Sequence, residues 1–393
     1  MKKFFMFAAM ASVALVSCVK NETAPVAISA EQEIVFESPI LLPNVKSTNE
    51  IQNNFPTDVH IGVWAHFFNN DQAGDNYTEW VDGQLYMGKA QGGLELQYFE
   101  DLEVDNPNNA TATVGTWKNA TNKYYWPKNG SLTFSAYAPY SDKTKAAASV
   151  DANGIHFKDY VVDHETNSKQ EDLLFSERVY NKKAVDNNTT YPYAGVALDF
   201  KHALSSIVFK VKAQADYSTT QLKVTKIELL NIVNKGSFNQ GLEDKDGDLT
   251  DGPGTQLWTL ATADANKVIY SVDLPTGGII LDETNVKYTH NGTTSATAPA
   301  AGKRVTDLIL LPQELDDCQL RVTFELLNEQ MDQSKPLTQV LVKNLKTATV
   351  GKWLRGSRYT YTISVALDEI YFEPTVTDWV DVDPALPDFE EYQ

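Results

Sequence analysis

The histidines and carboxylates are the residues of this sequence that could bind a metal ion. His60 and His66 lie six residues apart in a predicted strand, which places them on the same face. Such a pair is more often structural, and no cysteine and histidine cluster has zinc-site spacing. Residues 243–248 contain the alternating carboxylates that open a calcium loop. However, Leu249 and Thr255 occupy the positions that need a glycine and a bidentate glutamate. We therefore expect no metal site and no cofactor.

Motifs for covalent or acid–base catalysis are missing from the sequence. It has no glycine-rich phosphate loop and no Gly-x-Ser-x-Gly elbow, and no second histidine follows His164-Glu165 at zinc-protease spacing. Carboxylates are numerous, but nothing singles out a pair at glycosidase geometry. We expect no catalytic residue and no enzymatic activity, so a secreted hydrolase is the weakest functional hypothesis.

Composition narrows the class of protein. The 393 residues are 42% hydrophobic and 22% charged, an ordinary globular balance. The 33 basic and 52 acidic residues give a net charge of −19, which would repel nucleic acid. The length exceeds what one hydrophobic core usually serves, so we expect two domains, 18–200 and 201–393. The 2 cysteines exclude a disulfide framework.

The amino terminus reads as an export signal. Lys2 and Lys3 precede an apolar run, residues 4–16, that is too short to span a bilayer. The run ends in Leu15-Val16-Ser17-Cys18, which resembles the bacterial lipobox. Residues 1–17 are therefore predicted to be a lipoprotein signal peptide, and the Cys18 thiol to carry the lipid. The other cysteine, Cys318, is predicted to be a buried structural thiol.

Short alternating runs predict an all-β protein. Ile34, Phe36, Ile40 and Leu42 alternate with mostly polar residues, with Pro39 as a break. Comparable runs separated by Asn, Gly, Asp and Pro clusters continue to the end of the chain. Only residues 143–150 offer a helical candidate, and it is short. This pattern is typical of antiparallel β-sandwiches.

The tryptophans leave a second function open. Trp64, Trp80, Trp117 and Trp126 lie in the first half, and exposed indoles could stack on sugar rings. A surface glycan-binding lipoprotein of a polysaccharide-uptake system is therefore the alternative hypothesis. The competing interpretation is that these tryptophans fill sandwich cores.

A set of short motifs, ordered along nearly the whole mature chain, resembles the fimbrillin family, the subunits of type V pili in Bacteroidales-type bacteria. The motifs are Ile61-Gly62-Val63, Tyr125-Trp126-Pro127, Leu132-Thr133-Phe134-Ser135-Ala136-Tyr137-Ala138-Pro139, Asp172-Leu173-Leu174-Phe175, Leu198-Asp199-Phe200-Lys201-His202-Ala203-Leu204, Leu310-Leu311-Pro312-Gln313, Trp353 and Gly356 before Tyr359-Thr360-Tyr361-Thr362-Ile363, and Val376-Thr377-Asp378-Trp379.

The resemblance implies a fold and a mode of assembly. The fold is two tandem transthyretin-like antiparallel β-sandwich domains. The precursor is expected to reach the outer membrane as a lipoprotein, where a trypsin-like protease removes the lipid and the first strand. A strand from a neighbouring pilin subunit then fills the vacated groove, so the protein ends in a cell-surface fimbrium that supports adhesion.

The resemblance can be mapped onto particular residues. The removable strand would be residues 34–42, with Ile34, Phe36, Ile40 and Leu42 pointing inward. Lys46 is the candidate processing site, because it is the only basic residue between this strand and Ile61. In the best-known members the cut follows an arginine, and the first arginine here is Arg178. Either the protease accepts lysine, or the chain keeps its lipid as an anchor or accessory subunit.

The carboxy terminus offers a candidate donor strand. Several of its apolar residues occupy even-numbered positions, which is the pattern of a half-buried strand: Ile370, Phe372, Val376, Val380 and Val382. This strand is either donated to a neighbour or paired within its own domain, and the sequence leaves both open.

Overall fold

A computed structural model describes residues 33–41, 53–55, 59–68, 84–85, 100–105, 117–127, 131–151, 154–183, 195–217, 219–242, 257–289, 308–328 and 336–378. The predicted signal peptide, Cys18, Leu42, Lys46, Val380 and Val382 lie outside these residues.

Strands dominate both halves of the chain, because β-branched and aromatic residues alternate between polar turns. The first half contains β1 (Ile40–Leu41), β2 (Asn53–Asn54), β3 (Ile61–Phe68), β4 (Gln84–Leu85), β5 (Leu102–Val104), β6 (Ser131–Ala138), α1 (Asp142–Ala147), β7 (Ala148–Asp151), β8 (Gly154–Val161), β9 (Leu174–Ser176), β10 (Val179–Lys182) and β11 (Asp199–His202). The second half contains β12 (Ser205–Ala213), β13 (Thr220–Val233), β14 (Lys235–Asn239), β15 (Trp258–Leu260), β16 (Lys267–Ser271), β17 (Ile279–Ile280), β18 (Lys287–Tyr288), β19 (Leu308–Leu310), β20 (Gln319–Asn328), β21 (Leu337–Asn344), β22 (Ser357–Val365) and β23 (Ile370–Asp378).

The helix begins near the predicted position and ends early. Ser141 and Thr144 form a capping box at the start of α1, which satisfies free N–H groups of the first turn. The predicted helical segment, residues 143–150, is wrong beyond Ala147, because Ala148 adopts an extended conformation and begins β7.

Strands β1–β6 and β9–β11 of the first half form one nine-stranded sheet with the order β2-β1-β11-β9-β6-β3-β4, in which β10 also pairs with β6 and β5 with β3. The second half builds two five-stranded sheets. One has the order β18-β12-β22-β23, with β19 beside β12, and the other β16-β13-β20-β21, with β17 beside β13. The all-β fold class is confirmed. Most pairings are antiparallel as expected, but β1–β11 and β12–β22 are parallel.

A four-stranded sheet, β15-β14-β8-β7, combines strands from both halves. The boundary predicted at residue 200 falls inside β11, which belongs to the nine-stranded sheet. A tandem division into 18–200 and 201–393 therefore remains a prediction.

The buried hydrophobic side chains form two cores. The larger core joins side chains from both halves, including Trp64, Phe157, Phe238 and Tyr361. The second, called here the amino-terminal core, consists of Ile34, Phe36, Leu41, Phe55, Ile61, Val63, Ala65, Val104, Trp117, Trp126, Leu132, Phe134, Ala136, Ala138, Leu174, Val196, Leu198 and Phe200.

Candidate functional site: the groove around residues 33–41

Residues 33–41, called here the first segment, contribute three hydrophobic side chains to the amino-terminal core. Ile34 and Phe36 are buried, and so are Pro39 and Leu41 farther along. The buried side chains therefore change from even-numbered to odd-numbered positions between Phe36 and Pro39. Ile40, which was expected to point inward, is only half-buried. Proline interrupts regular strand geometry because its ring fixes φ and its nitrogen carries no hydrogen.

The first segment is hydrogen-bonded on one side to the stretch around Trp117. The Ile34 amide donates to the Tyr124 carbonyl at 2.7 Å, and the Phe36 amide donates to the Trp117 carbonyl at 2.8 Å. These bonds fix the amino-terminal end of the segment.

The other side of the first segment pairs with residues 196–200. The Val196 amide donates to the Val35 carbonyl at 2.9 Å, and the Glu37 amide donates back to Val196 at 3.0 Å. The Ile40 amide donates to the Leu198 carbonyl at 3.2 Å, and β1 continues parallel to β11 while β2 pairs on its far side. The first segment is thus an interior strand, and its loss would open a groove between two rows of backbone groups.

Aromatic rings line the groove. Phe36 meets Phe134 edge to face, with ring centroids 5.6 Å apart, and Trp126 meets Phe134 at 5.8 Å. Phe55 meets Trp117 edge to face at 5.6 Å. Removing the first segment would expose these rings to water, so the empty groove favours another apolar strand.

Gly195 brings the groove wall into contact with the backbone of the first segment. A Cβ atom at this position would lie 2.6 Å from the carbonyl carbon of Phe36 and 2.7 Å from the amide nitrogen of Glu37. Its φ of +108° also favours glycine. The groove therefore requires glycine at its closest approach to the strand it holds.

Charge at the rim of the groove is unfavourable at neutral pH. Burial, and secondarily the nearby Asp199 carboxylate, raises the pKa of Glu37 above its ordinary value of 4.5. Burial and the neighbouring Glu177 raise the pKa of Asp199. At the amino-terminal end of the first segment, the Lys118 ammonium lies 3.8 Å from the Glu33 carboxylate. Because their pKa values are raised, the carboxyl groups of Glu37 and Asp199 hold their protons more tightly in the filled groove than in free solution.

The described part of the candidate donor strand is paired within this chain. β23 runs antiparallel to β22 from Ile370 opposite Val365 to Asp378 opposite Ser357. Ile370 is buried, Phe372 is half-buried against the larger core, and Val376 is exposed. The other two predicted members, Val380 and Val382, lie outside the described residues.

Several residues of the fimbrillin-like motifs make buried contacts between different parts of the fold. The His202 ring nitrogen Nδ1 lies 2.9 Å from the Asp172 carboxylate, and both side chains are buried. Gly62 packs under Tyr137, since an added Cβ would overlap that ring. The Trp353 indole donates to the Tyr361 hydroxyl at 2.9 Å. These contacts explain the motifs as requirements of the fold.

The five tryptophans in the described part of the chain are buried: Trp64, Trp117, Trp126, Trp258 and Trp353. Trp80, which the glycan hypothesis also uses, lies outside it. Within the described ranges no cluster of His, Cys, Asp or Glu could hold a metal ion. The calcium-like residues 243–248 fall outside those ranges. Cys318 is buried as predicted, and burial raises its pKa to about 12.

Sequence reasoning missed the wall of the groove. Gly195 and Val196 follow Tyr193-Ala194 directly before the Leu198 motif, and glycine at the start of an apolar run is a signal for close backbone approach. Nothing in the sequence says that the approaching backbone is that of Phe36, because the two residues are far apart in the chain.

None of the helices within the described ranges has the length and apolar character required to cross a membrane.

Several solved structures are similar to this chain at low sequence identity. A fimbrial protein from Bacteroides vulgatus ATCC 8482 is 16% identical, with a TM-score of 0.52, over 89% of this chain and 100% of that chain. A provisionally named cell adhesion protein from Bacteroides uniformis ATCC 8492 is 15% identical, with a TM-score of 0.49, over 90% and 100% of the two chains. A fimbrilin from Porphyromonas gingivalis W83 is 10% identical, with a TM-score of 0.36, over 90% and 98%.

No curated protein matches the chain. The sequence profile described as fimbrillin-like matches residues 48–379, which is most of the chain. The chain therefore belongs to the fimbrillin-like family.

Proposed function

We propose that this protein is a structural subunit of a cell-surface pilus that assembles by strand exchange between lipoprotein precursors. The observation that carries the proposal is the first segment. It lies at the predicted mature amino end, fills an apolar groove, and is hydrogen-bonded on both sides.

Cleavage at Lys46 would convert the first segment into a separate peptide. Lys46 lies between the end of β1 at Leu41 and the start of β2 at Asn53. After a cut there, only hydrogen bonds and apolar contacts would hold the segment in place. A strand from a neighbouring pilin subunit could then replace it, with main-chain bonds giving affinity and side-chain pockets giving specificity.

The incoming strand is proposed to come from the carboxy terminus of the neighbouring subunit. Because Ile370, Phe372 and Val376 already sit in β23, donation without opening β22–β23 requires residues beyond Asp378. Val380 and Val382 are the apolar members of the candidate strand that remain for this role. Head-to-tail donation of this kind builds filaments rather than closed rings.

Lipidation of Cys18 is proposed to hold the precursor on the outer membrane until processing. If the protease does not accept Lys46, the uncut chain keeps both lipid and first segment. It would then serve as an anchor or accessory subunit, because a filled groove accepts no neighbour.

Trypsin treatment of the purified protein tests the proposal. Wild-type chains should be cut after Lys46 and then form oligomers, as seen by mass spectrometry and size-exclusion chromatography. The Lys46→Ala variant, which keeps the same groove, should remain uncut between β1 and β2 and form no oligomer larger than that of the untreated chain. Cut wild-type chains that grow no larger than the untreated chain would refute strand exchange.

A further inference from the structure

The strand β21 forms an open edge of the sheet β16-β13-β20-β21. Within the described part of the chain it pairs with β20 alone. Its eight residues keep a continuous antiparallel register with β20, from Leu337 opposite Leu326 to Asn344 opposite Gln319. Alternate residues of an edge strand direct their N–H and C=O groups away from the neighbouring strand. Among the described residues, β21 thus presents a row of backbone donors and acceptors without a strand partner, which another strand could fill.

The side chains of β21 are unusually apolar for an exposed edge. Val340 is 53% exposed and Val342 is 50% exposed, and they lie two residues apart on the same face. Leu337 at the start of the strand is also exposed. Long, regular edge strands with exposed β-branched residues are the edges on which further strands add.

The neighbouring edge strand β23 shows how this protein protects an edge elsewhere. Pro374 sits in the middle of β23 opposite Tyr361, and a proline cannot donate a backbone hydrogen bond. β23 also carries the carboxylate of Glu373. β21 has no proline, no glycine and no carboxylate. The two edges therefore differ in whether they discourage another strand.

The charge of β21 permits a second copy of this chain to approach this edge. The net charge of −19 makes most of the surface repel another copy. The only charged residue in β21 is Lys343, whose Nζ lies 3.3 Å from Glu369 and donates to the Ile370 carbonyl at 2.9 Å. Two β21 strands can therefore approach each other without opposing carboxylates.

We propose that two copies associate through antiparallel pairing of their β21 strands about a two-fold axis. In the register centred on Leu341, Val340 of each copy lies opposite Val342 of the other. Gln339 then faces Lys343, and Thr338 faces Asn344, so no like charges are opposed. Cross-strand valine pairs stabilise such a contact, and the interface is isologous. It leaves the first segment in place and needs no cleavage at Lys46.

Sedimentation equilibrium of the uncut chain, over a range of protein and salt concentrations, tests this proposal. The wild-type chain should dimerise, and added salt should strengthen the dimer by screening the −19 charges. Val340→Lys and Val342→Lys should each weaken the dimer about tenfold or more, because two added lysines meet near the axis.

Val376→Lys is the matched control, because Val376 is 49% exposed on the protected edge strand β23. It should leave the dimer constant within about twofold, a small change on the scale of interface substitutions. The proposal is overturned if the wild-type chain stays monomeric at every concentration. It is also overturned if the β21 variants dimerise like wild type, or if Val376→Lys weakens the dimer as much as they do.

Discussion

At the scale of single residues, Gly195 is a position where the groove has no room for a side chain. Its missing side chain lets the backbone of Phe36 and Glu37 lie against the groove wall. Gly277 provides a natural comparison, because it also has a positive φ, of +89°, but an added Cβ there would meet nothing within 4 Å. The two glycines separate backbone strain from collision with the first segment.

Gly195→Ala should lower the free energy of unfolding by about 1–3 kcal/mol through strain, and by about 1–3 kcal/mol more through overpacking. Gly277→Ala should lower the free energy of unfolding by only about 1–2 kcal/mol, the cost of placing alanine in a left-handed backbone conformation. Urea unfolding measures both, and proteolysis reports whether the first segment has left the groove. Equal losses for the two variants would show that Gly195 does not contact the segment.

The carboxylate of Glu37 should make retention of the first segment depend on pH. Because its pKa is raised in the fold, its contribution to stability is fully present below the ordinary value of 4.5. That contribution is lost as the pH rises through the raised value. Glu37→Gln stays neutral and should therefore melt higher than wild type at pH 7, with the difference shrinking towards pH 4. A difference in melting temperature that does not change with pH would contradict this.

At the scale of elements, the first segment owes its binding mainly to buried side chains. Phe36 is its largest, and it is in edge-to-face contact with Phe134. Because the segment lies between two other strands, its side chains and its backbone bonds must be released together.

Phe36→Ala should lower the free energy of unfolding by about 3–5 kcal/mol. In the uncut chain it should also expose the first segment to protease. Phe157→Ala is the control, because Phe157 is equally buried but belongs to the larger core. It should cost a similar free energy without speeding cleavage in the first segment. Equal protection of that segment in both variants would show that Phe36 does not hold it.

Local alternation predicted many of these elements. Ile207, Phe209 and Val211 alternate in β12, and Tyr359, Tyr361 and Ile363 do so in β22. The change from even-numbered to odd-numbered buried positions around Pro39 was not predictable, because it depends on how the first segment pairs with Val196 and Leu198. The extended course of Ala148 is likewise set by its partner Phe157 in β8.

The partners of each strand depend on contacts between distant parts of the chain. β8 pairs with β14, and β1 lies parallel to β11, although hydrophobic alternation in each strand fits many partners. The same limit applies to the groove. Its strand was predicted from Ile34 and Phe36, while its walls at Trp117 and Gly195 were found only in the fold.

At the scale of the whole molecule, strand pairing and hydrogen bonds join the two halves, so we expect the halves to unfold together. β8 pairs with β14, and the Tyr270 hydroxyl donates to the Val162 carbonyl at 3.2 Å. In a filament, pulling force would pass through this junction. The subunit is therefore expected to bear load as one unit.

Gln240 is a test of that junction. Its side-chain oxygen accepts from the Ile155 amide at 2.9 Å, and its nitrogen donates to the Ser176 carbonyl at 2.9 Å. Gln240→Ala leaves the buried Ile155 amide and Ser176 carbonyl without this partner, and it should lower the free energy of unfolding by about 1–3 kcal/mol. Calorimetry should show one unfolding transition for wild type and a lower single transition for the variant. Two separate transitions in wild type would mean that the halves unfold independently.

The central claim is that the first segment occupies a groove that a neighbouring subunit fills after cleavage. Mass spectrometry of polymers isolated after cleavage at Lys46 tests it most directly, because the peptide ending at Lys46 contains the whole first segment. The polymers should lack this peptide, which should appear free in solution. Polymers that retain one such peptide for every subunit would contradict the claim, since their grooves would still be occupied.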